Sequence, residues 1–191
     1  RSISWVQMGF DEIHFIEDFE DVAYYGHRTS DHRITDISAF ENFTRFYEEM
    51  PADAPRFGYL LTMQNHGGWD TNPPEDDLIH MGDGLVSEKT TQLANEYISC
   101  VSLTDEMIAV MEEYFTNLYE EEGRRVVVCM VGDHSPGFVN DLADDRFDEL
   151  EKNIRMRSTP FIIWKNYEGD EAGTVYAVND TYGTGCIVDA C

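Results

Sequence analysis

The feature that most constrains the fold is a pair of short apolar runs joined by one long amphipathic segment. The runs are residues 57–63 (FGYLLTM) and 126–131 (VVVCMV), and between them a helical pattern starts at Ser87 and ends at Gly123. Apolar residues in this pattern recur at steps of three, four or seven: Leu93, Tyr97, Val101, Ile108, Met111, Phe115 and Leu118. Runs without clean alternation are typical of strands that a parallel sheet buries on both faces. A strand, a helix and a second strand form a βαβ crossover, so the sequence predicts an α/β fold with a mainly parallel sheet flanked by helices.

Two further elements are predicted on either side of this unit. Ser38 and Glu41 have the spacing of a helix capping box, and the apolar residues around them recur at helical intervals. Residues 160–164 (PFIIW) are a third apolar run, which we expect to be another strand of the same sheet. The 87–123 segment fits one long helix or two helices joined near Ser102, and we expect its apolar stripe to face the sheet.

A histidine follows each of the first two predicted strands. His66 lies in QNHGG directly after the first run, and Asp133 with His134 lies in GDHSP after the second. Ligands of open α/β sheets bind outside the carboxyl ends of the strands, so we expect these three side chains to cluster at one edge of the sheet. Carboxylate and imidazole groups are suitable ligands for Zn²⁺, Mn²⁺ or a similar divalent cation. The sequence therefore indicates a metal site, and the alternative is that Asp133 only caps the turn after its strand.

The charge of the chain excludes one class of function. The sequence has 38 Asp and Glu against 13 Lys and Arg, which gives a formal net charge of −25. This balance excludes a nucleic-acid binder that works through a basic footprint, and an anionic substrate has to be met by local positive charge. No run approaches the roughly 18 apolar residues that a membrane span needs, so we expect these residues to be soluble.

The cysteines and the common nucleophile motifs give less information. Cys100, Cys129, Cys186 and Cys191 form no CxxC pair, so we expect buried thiols, above all for Cys129 within its apolar run. The sequence contains no G-x-S-x-G, no P-loop and no G-x-G-x-x-G. A nucleophile cannot be chosen from the pattern alone.

Three segments, in this order and at these separations, carry a resemblance to a known family. They are residues 62–69 (TMQNHGGW), 131–136 (VGDHSP) and 158–164 (STPFIIW), and residues 8–19 add a fourth, weaker similarity. The chain resembles the catalytic domain of lipoteichoic acid synthase and related sulfatase-like phosphoglycerol transferases, which belong to the alkaline phosphatase superfamily. The resemblance extends over nearly the whole chain.

The resemblance implies a role for four residues. Asp133 and His134 would be two ligands of the catalytic divalent cation, which is manganese or magnesium in this branch, with zinc or calcium as alternatives. His66 would contact the phosphoglycerol head group. Arg1 stands where the substrate-binding arginine of the family's W-x-R motif would fall.

The resemblance also implies that residues 1–191 are the C-terminal part of a single sulfatase-like catalytic domain, whose N-terminal half is absent. The nucleophilic threonine and the first acidic metal ligand of the family would lie in that half, so we expect the fragment alone to be inactive. In the parent, the metal would polarise a phosphoryl or sulfuryl oxygen and the nucleophile would form a covalent intermediate. The expected substrate is an anionic phosphate or sulfate ester, including a lipid-linked one, at the extracellular face of the cell membrane.

Three alternatives to a phosphoglycerol transferase stay open at this point. A sulfatase or phosphodiester hydrolase would use the same residues. The choice between transfer and hydrolysis depends on the shape of the pocket and on how well it excludes water, which the sequence does not give. A non-catalytic binding module would keep the fold and lack the nucleophile. An unrelated acidic interaction domain would have no divalent-metal affinity localised at Asp133 and His134.

Overall fold

The computed structural model describes residues 2–26, 33–69, 72–82, 84, 86–142 and 147–168. The helices in these ranges are α1 (Ser2–Gln7), α2 (Asp36–Glu49), α3 (Glu88–Glu122) and α4 (Glu149–Arg157), and the strands are β1 (Val127–Val131) and β2 (Phe161–Lys165). Short 3₁₀ segments lie at Ile16–Asp18, Pro74–Asp76 and Gly137–Leu142. The internal contacts divide the chain into two compact units, the first made of Arg1–Met81 and Gln92–Ala109 and the second of Gly82–Thr91 and Val110–Cys191.

Helix α2 belongs to the first unit and starts earlier than the predicted capping box. Thr35 is its N-cap, and the Thr35 side chain accepts a hydrogen bond from the Ser38 N–H at 3.3 Å. The predicted box of Ser38 and Glu41 is therefore wrong, because the Ser38 hydroxyl instead accepts from the Ala23 N–H at 2.9 Å. The predicted helix itself is confirmed, and it buries Phe40 in the core of this unit.

Helix α3 is one uninterrupted helix. Ser87 caps its start by accepting a backbone N–H of the first turn at 3.1 Å, and Gly123 ends it with a left-handed φ of 69°. Of the two predicted arrangements, the single helix is correct. Met111 and Phe115 of the predicted apolar stripe are buried, whereas Val101 is exposed, so burial of the stripe is confirmed in part.

The sheet of the second unit has two antiparallel strands, and it is the one sheet in the described part of the chain. β1 pairs with β2 so that Val131 lies opposite Phe161. Both runs are strands as predicted, but this pair is antiparallel, whereas the sequence predicted a mainly parallel sheet. An apolar run fixes where a strand lies and not which way its neighbour runs, because direction depends on the path of the connection. Here residues 132–160 bring the chain back to the end at which β1 stops, where the Gly132 N–H donates to the Pro160 carbonyl at 3.1 Å.

The faces of this sheet are more open than the sequence predicted. Val131 keeps 65% of its surface exposed, and Cys129 is exposed as well. The prediction of a buried Cys129 is wrong, because it assumed covering layers on both faces that the described residues do not supply. Cys100 on α3 is buried as predicted, and Cys186 and Cys191 lie outside the described residues.

The predicted strand at 57–63 has no paired neighbour among the described residues. The segment runs without a turn or bend, and residues 57–62 form no hydrogen bond with another described main-chain group. One side packs against α2, since a Cβ on Gly58 would lie 2.5 Å from Cζ of Phe43. The side chains of Tyr59 and Leu61 are exposed. The segment therefore has the position predicted for a strand but lacks the ladder that would make it one.

Candidate functional site

His66 lies on a tight turn in the first unit. Its backbone N–H donates to the Met63 carbonyl at 3.1 Å, and two residues later Gly68 has a φ of 100°. This backbone conformation favours glycine, and a Cβ at Gly68 would also collide with the guanidinium of Arg33. The turn after His66 is thus built closely around an arginine side chain.

The two residues before His66 are anchored by their side chains. Gln64 is buried, its Oε1 accepts from the Asp36 N–H at 3.1 Å, and its Nε2 donates to the Cys100 carbonyl at 2.7 Å. Asn65 Nδ2 donates to Oγ1 of Thr104 at 2.9 Å. Side chains of residues 64 and 65 therefore connect the turn to the start of α2 and to the middle of α3.

Asp36 completes this buried group. The residue is 0% exposed, and its Oδ2 accepts from the Thr104 hydroxyl at 2.7 Å. Burial raises the pKa of the Asp36 carboxyl, while hydrogen bonds from Thr104, from the Gln64 backbone and from Thr62 act against that rise. Asp36 could not be recognised from the sequence, because an acid in the first turn of a helix is usually a solvated partner of the helix dipole. One sequence signal was available: Thr35 is a suitable N-cap, so the Asp36 side chain is not needed to cap the helix and is left for other contacts.

The loop that follows the His66 turn is fastened to α3. The Ser99 hydroxyl accepts from the N–H groups of Leu78 and Ile79 at 2.9 and 3.0 Å, and Asn95 Oδ1 accepts from the Met81 N–H at 2.7 Å. In the same loop, burial and then the nearby Glu96 raise the pKa of the Asp77 carboxyl, a rise that His80 opposes.

Asp133 and His134 lie together in the second unit, just beyond β1. Asp133 Oδ1 accepts from the His134 N–H at 2.8 Å, and Asp133 Oδ2 lies 3.4 Å from Nε2 of His134. The other ring nitrogen, Nδ1, lies 3.1 Å from the Ser135 carbonyl. Side-chain exposure is 72% for His134 and 79% for Asp133, so the pair is open to solvent. The structure therefore brings the two predicted metal ligands together at the end of the strand.

The remaining predicted contacts stay predictions. His66 belongs to the first unit and the Asp133–His134 pair to the second, so their expected clustering is untested. Arg1 lies outside the described residues. Within the described ranges, no group of three or more His, Cys, Asp or Glu side chains could hold a metal ion.

The Sulfatase family model matches residues 4–184. The chain therefore belongs to the Sulfatase family, which confirms the family predicted from the three motif segments. No curated protein matches the chain. No helix among the described residues is both long enough and apolar enough to cross a membrane.

A solved structure with a similar fold is that of the Streptococcus pyogenes phosphoglycerol transferase GacH in complex with sn-glycerol-1-phosphate. The TM-score is 0.63 and the sequence identity is 20%, over 90% of this chain. At this identity the likeness shows the fold. The chain spans 42% of the length of that protein.

Proposed function

We propose that this chain is the C-terminal part of the catalytic domain of a metal-dependent phosphoglycerol transferase that acts on anionic phosphate esters. The Sulfatase family and the likeness to a phosphoglycerol transferase with bound sn-glycerol-1-phosphate support the class. The observation that carries the proposal is the side-by-side position of Asp133 and His134 at the end of β1.

The atoms of this pair suit a divalent cation. The Ser135 carbonyl can only accept a hydrogen bond, so the Nδ1 atom that faces it at 3.1 Å carries the proton. In the neutral ring this leaves the lone pair on Nε2, which faces the carboxylate oxygen of Asp133 at 3.4 Å. Two acceptors at this distance repel each other unless a cation or a proton lies between them. A carbonyl that accepts from the far ring nitrogen is also the usual arrangement around a metal-binding histidine.

Asp133 and His134 would hold the cation, which by resemblance is manganese or magnesium, with zinc or calcium as alternatives. Once bound, the metal would polarise an oxygen of the phosphate ester. His66 would donate or accept a hydrogen bond at the head group of the ester, held in place by its turn. Arg1 would add positive charge, which an anionic substrate needs in a chain with a net charge of −25.

The nucleophile and the remaining metal ligands would come from the other part of the domain. The chain spans 42% of the length of GacH, which supports this division. The segment at 57–63 supports it too, because residues 57–62 pair with no described main chain, Tyr59 and Leu61 are exposed, and backbone groups are left that a neighbouring strand can pair with. In the complete domain this segment would be a strand of a mainly parallel sheet. By resemblance, the parent would work at the extracellular face of the cell membrane, where its ester substrate can be lipid-linked.

The metal site can be tested on the chain itself. We expect weak Mn²⁺ binding, observed by the broadening of the Asp133 and His134 NMR signals, and its loss in the Asp133→Asn, His134→Gln double variant. The matched control is the Glu12→Gln, His14→Gln double variant, because His14 Nε2 and Glu12 Oε2 form a similar pair at 3.3 Å. Mn²⁺ broadening that is equal at both pairs would contradict a specific site.

The substrate class is tested on the complete parent protein. We expect transfer or release of glycerol phosphate from a phosphoglycerol donor in the presence of Mn²⁺. Faster cleavage of an aryl sulfate would instead favour a sulfatase, which the family match also allows. Metal binding without turnover of either ester would favour a non-catalytic module.

A further inference from the structure

The turn that carries His66 depends on a buried hydrogen-bond network centred on Thr104. We propose that Thr104 and Asp36 are positioning residues, which hold residues 64–66 in the conformation that presents His66 to the phosphate ester. This inference rests on the proposed role of His66. All members of the network lie in the first unit, so the distances between them lie within one compact body.

The Thr104 hydroxyl has a fixed direction. When Asp36 is ionised its carboxylate can only accept, so the single Thr104 proton then goes to Asp36 Oδ2 at 2.7 Å, in preference to the Cys100 carbonyl at 3.3 Å. The hydroxyl lone pairs are then left to accept, and they face Asn65 Nδ2 at 2.9 Å and Gln64 Nε2 at 3.4 Å. Asp36 therefore orients the hydroxyl so that it can hold the Asn65 amide.

Gln64 fixes the other side of the turn. Its side-chain oxygen accepts from the Asp36 N–H at 3.1 Å, and its nitrogen donates to the Cys100 carbonyl at 2.7 Å as well as facing the Thr104 hydroxyl. The Asp36 N–H belongs to the first turn of α2 and the Cys100 carbonyl to α3, so Gln64 joins the turn to two helices. One peptide bond beyond Asn65, the His66 N–H closes the turn onto the Met63 carbonyl at 3.1 Å. A displacement of the two amide side chains would therefore move His66 directly.

A purely structural role for the same network makes a different prediction. Loss of a buried hydrogen bond would then lower the stability of the unit and leave the environment of His66 unchanged. A positioning role predicts a change at His66 itself, which can be measured without any catalysis. The two roles are separated by observing the His66 imidazole in the folded chain.

The experiment compares Thr104→Val with Thr104→Ser, which keeps the hydroxyl, and with Thr116→Val, which removes a hydroxyl elsewhere on α3. The ¹H–¹⁵N signals of the His66 imidazole are recorded in the free chain and during addition of sn-glycerol-1-phosphate. We expect Thr104→Val to shift the free His66 signals and to weaken the glycerol phosphate response about tenfold, the factor of one lost hydrogen bond. Thr104→Ser and Thr116→Val should both match the wild type.

Asn65→Ala is the second variant, in case Thr104→Val does not fold. It removes one donor from the network and leaves the contacts of Asp36 with Thr104 in place, and we expect the same shift at His66. Unchanged free His66 signals in a folded Thr104→Val or Asn65→Ala chain would overturn the inference, and so would equal shifts in Thr116→Val. If the His66 signals of the wild-type chain do not change when glycerol phosphate is added, the proposed role of His66 is rejected. The His66 signals of the free chains still decide whether the network positions this residue.

Discussion

Asp133 contacts His134 through both of its carboxylate oxygens: Oδ1 accepts the backbone N–H at 2.8 Å, and Oδ2 lies 3.4 Å from the ring Nε2. The first contact needs only an acceptor oxygen, whereas the second brings a negative charge to the nitrogen that would bind a metal. The two functions of this side chain, local backbone geometry and charge, can therefore be separated by a single substitution.

Asp133→Asn should abolish the localised binding of Mn²⁺ and leave the stability of the chain nearly unchanged. Asparagine keeps an oxygen for the His134 N–H but loses the charge that attracts the cation. The side chain is 79% exposed, and surface changes of this kind usually alter the free energy of unfolding by less than about 0.5 kcal/mol. Titration with Mn²⁺ and urea unfolding of the same samples measure both quantities. A large loss of stability with metal binding intact would reverse this assignment.

Asp36→Asn should change how stability depends on pH. Burial raises the pKa of Asp36 in the folded chain above its ordinary value of 3.8, so the folded state keeps the proton to higher pH than the unfolded state does. As pH rises from the ordinary pKa to the raised pKa of the folded chain, the wild type loses stability, and the loss is complete above the raised pKa. Asparagine cannot titrate, so the variant should gain stability relative to the wild type as pH rises above 3.8, the ordinary pKa of the carboxyl.

Urea unfolding at several pH values checks this prediction, with Asp53→Asn in an exposed turn as the control. Wild type and Asp36→Asn with parallel profiles would contradict it.

Gly68→Ala should destabilise the chain more than Gly9→Ala. Both glycines have a positive φ, 100° at Gly68 and 91° at Gly9, which an alanine adopts at a cost of about 1 kcal/mol. A Cβ at Gly9 meets no atom within 4 Å, whereas at Gly68 it would displace the Arg33 guanidinium. The difference between the two variants in urea unfolding therefore measures the Arg33 contact. Equal costs would mean that the arginine moves away freely.

The 191-residue chain should not turn over esters, even with Mn²⁺. In the proposed division of the domain the nucleophile lies outside these residues, and without it no covalent intermediate can form. The release of nitrophenol from bis(4-nitrophenyl) phosphate and from 4-nitrophenyl sulfate should stay near the rate of Mn²⁺ in buffer. Clear turnover that disappears in the Asp133→Ala, His134→Ala double variant would show that a nucleophile lies within these residues.

The sequence allowed the positions of most elements to be predicted, because apolar periodicity and capping signals are local. The helix between Ser87 and Gly123 and the two strands around Val131 and Phe161 were found this way. The direction of the strands was not, since a connection can return to either end of a sheet. The exposure of Cys129 was missed for a related reason, because burial depends on layers that one run of sequence does not encode.

In the candidate site, too, contacts between sequence neighbours could be predicted and long-range contacts could not. Asp133 and His134 are neighbours in sequence, so their proximity could be predicted from the motif and the end of the strand. The group formed by Asp36, Gln64 and Thr104 could not, because its members are 28 to 68 residues apart and meet only through the packing of two helices. Long-range polar contacts of this kind leave no periodic signal in a single sequence.

The open sheet of the second unit affects how this chain behaves in solution. Within the described residues, β1 and β2 each have one unpaired edge, and Val131 exposes an apolar surface beside it. Such edges promote aggregation by joining strands of different molecules. The net charge of −25 opposes that association through repulsion between chains, and salt weakens the repulsion. Purification at low ionic strength should therefore keep the chain monomeric. Salt, which is often added to prevent aggregation, would promote aggregation of this chain.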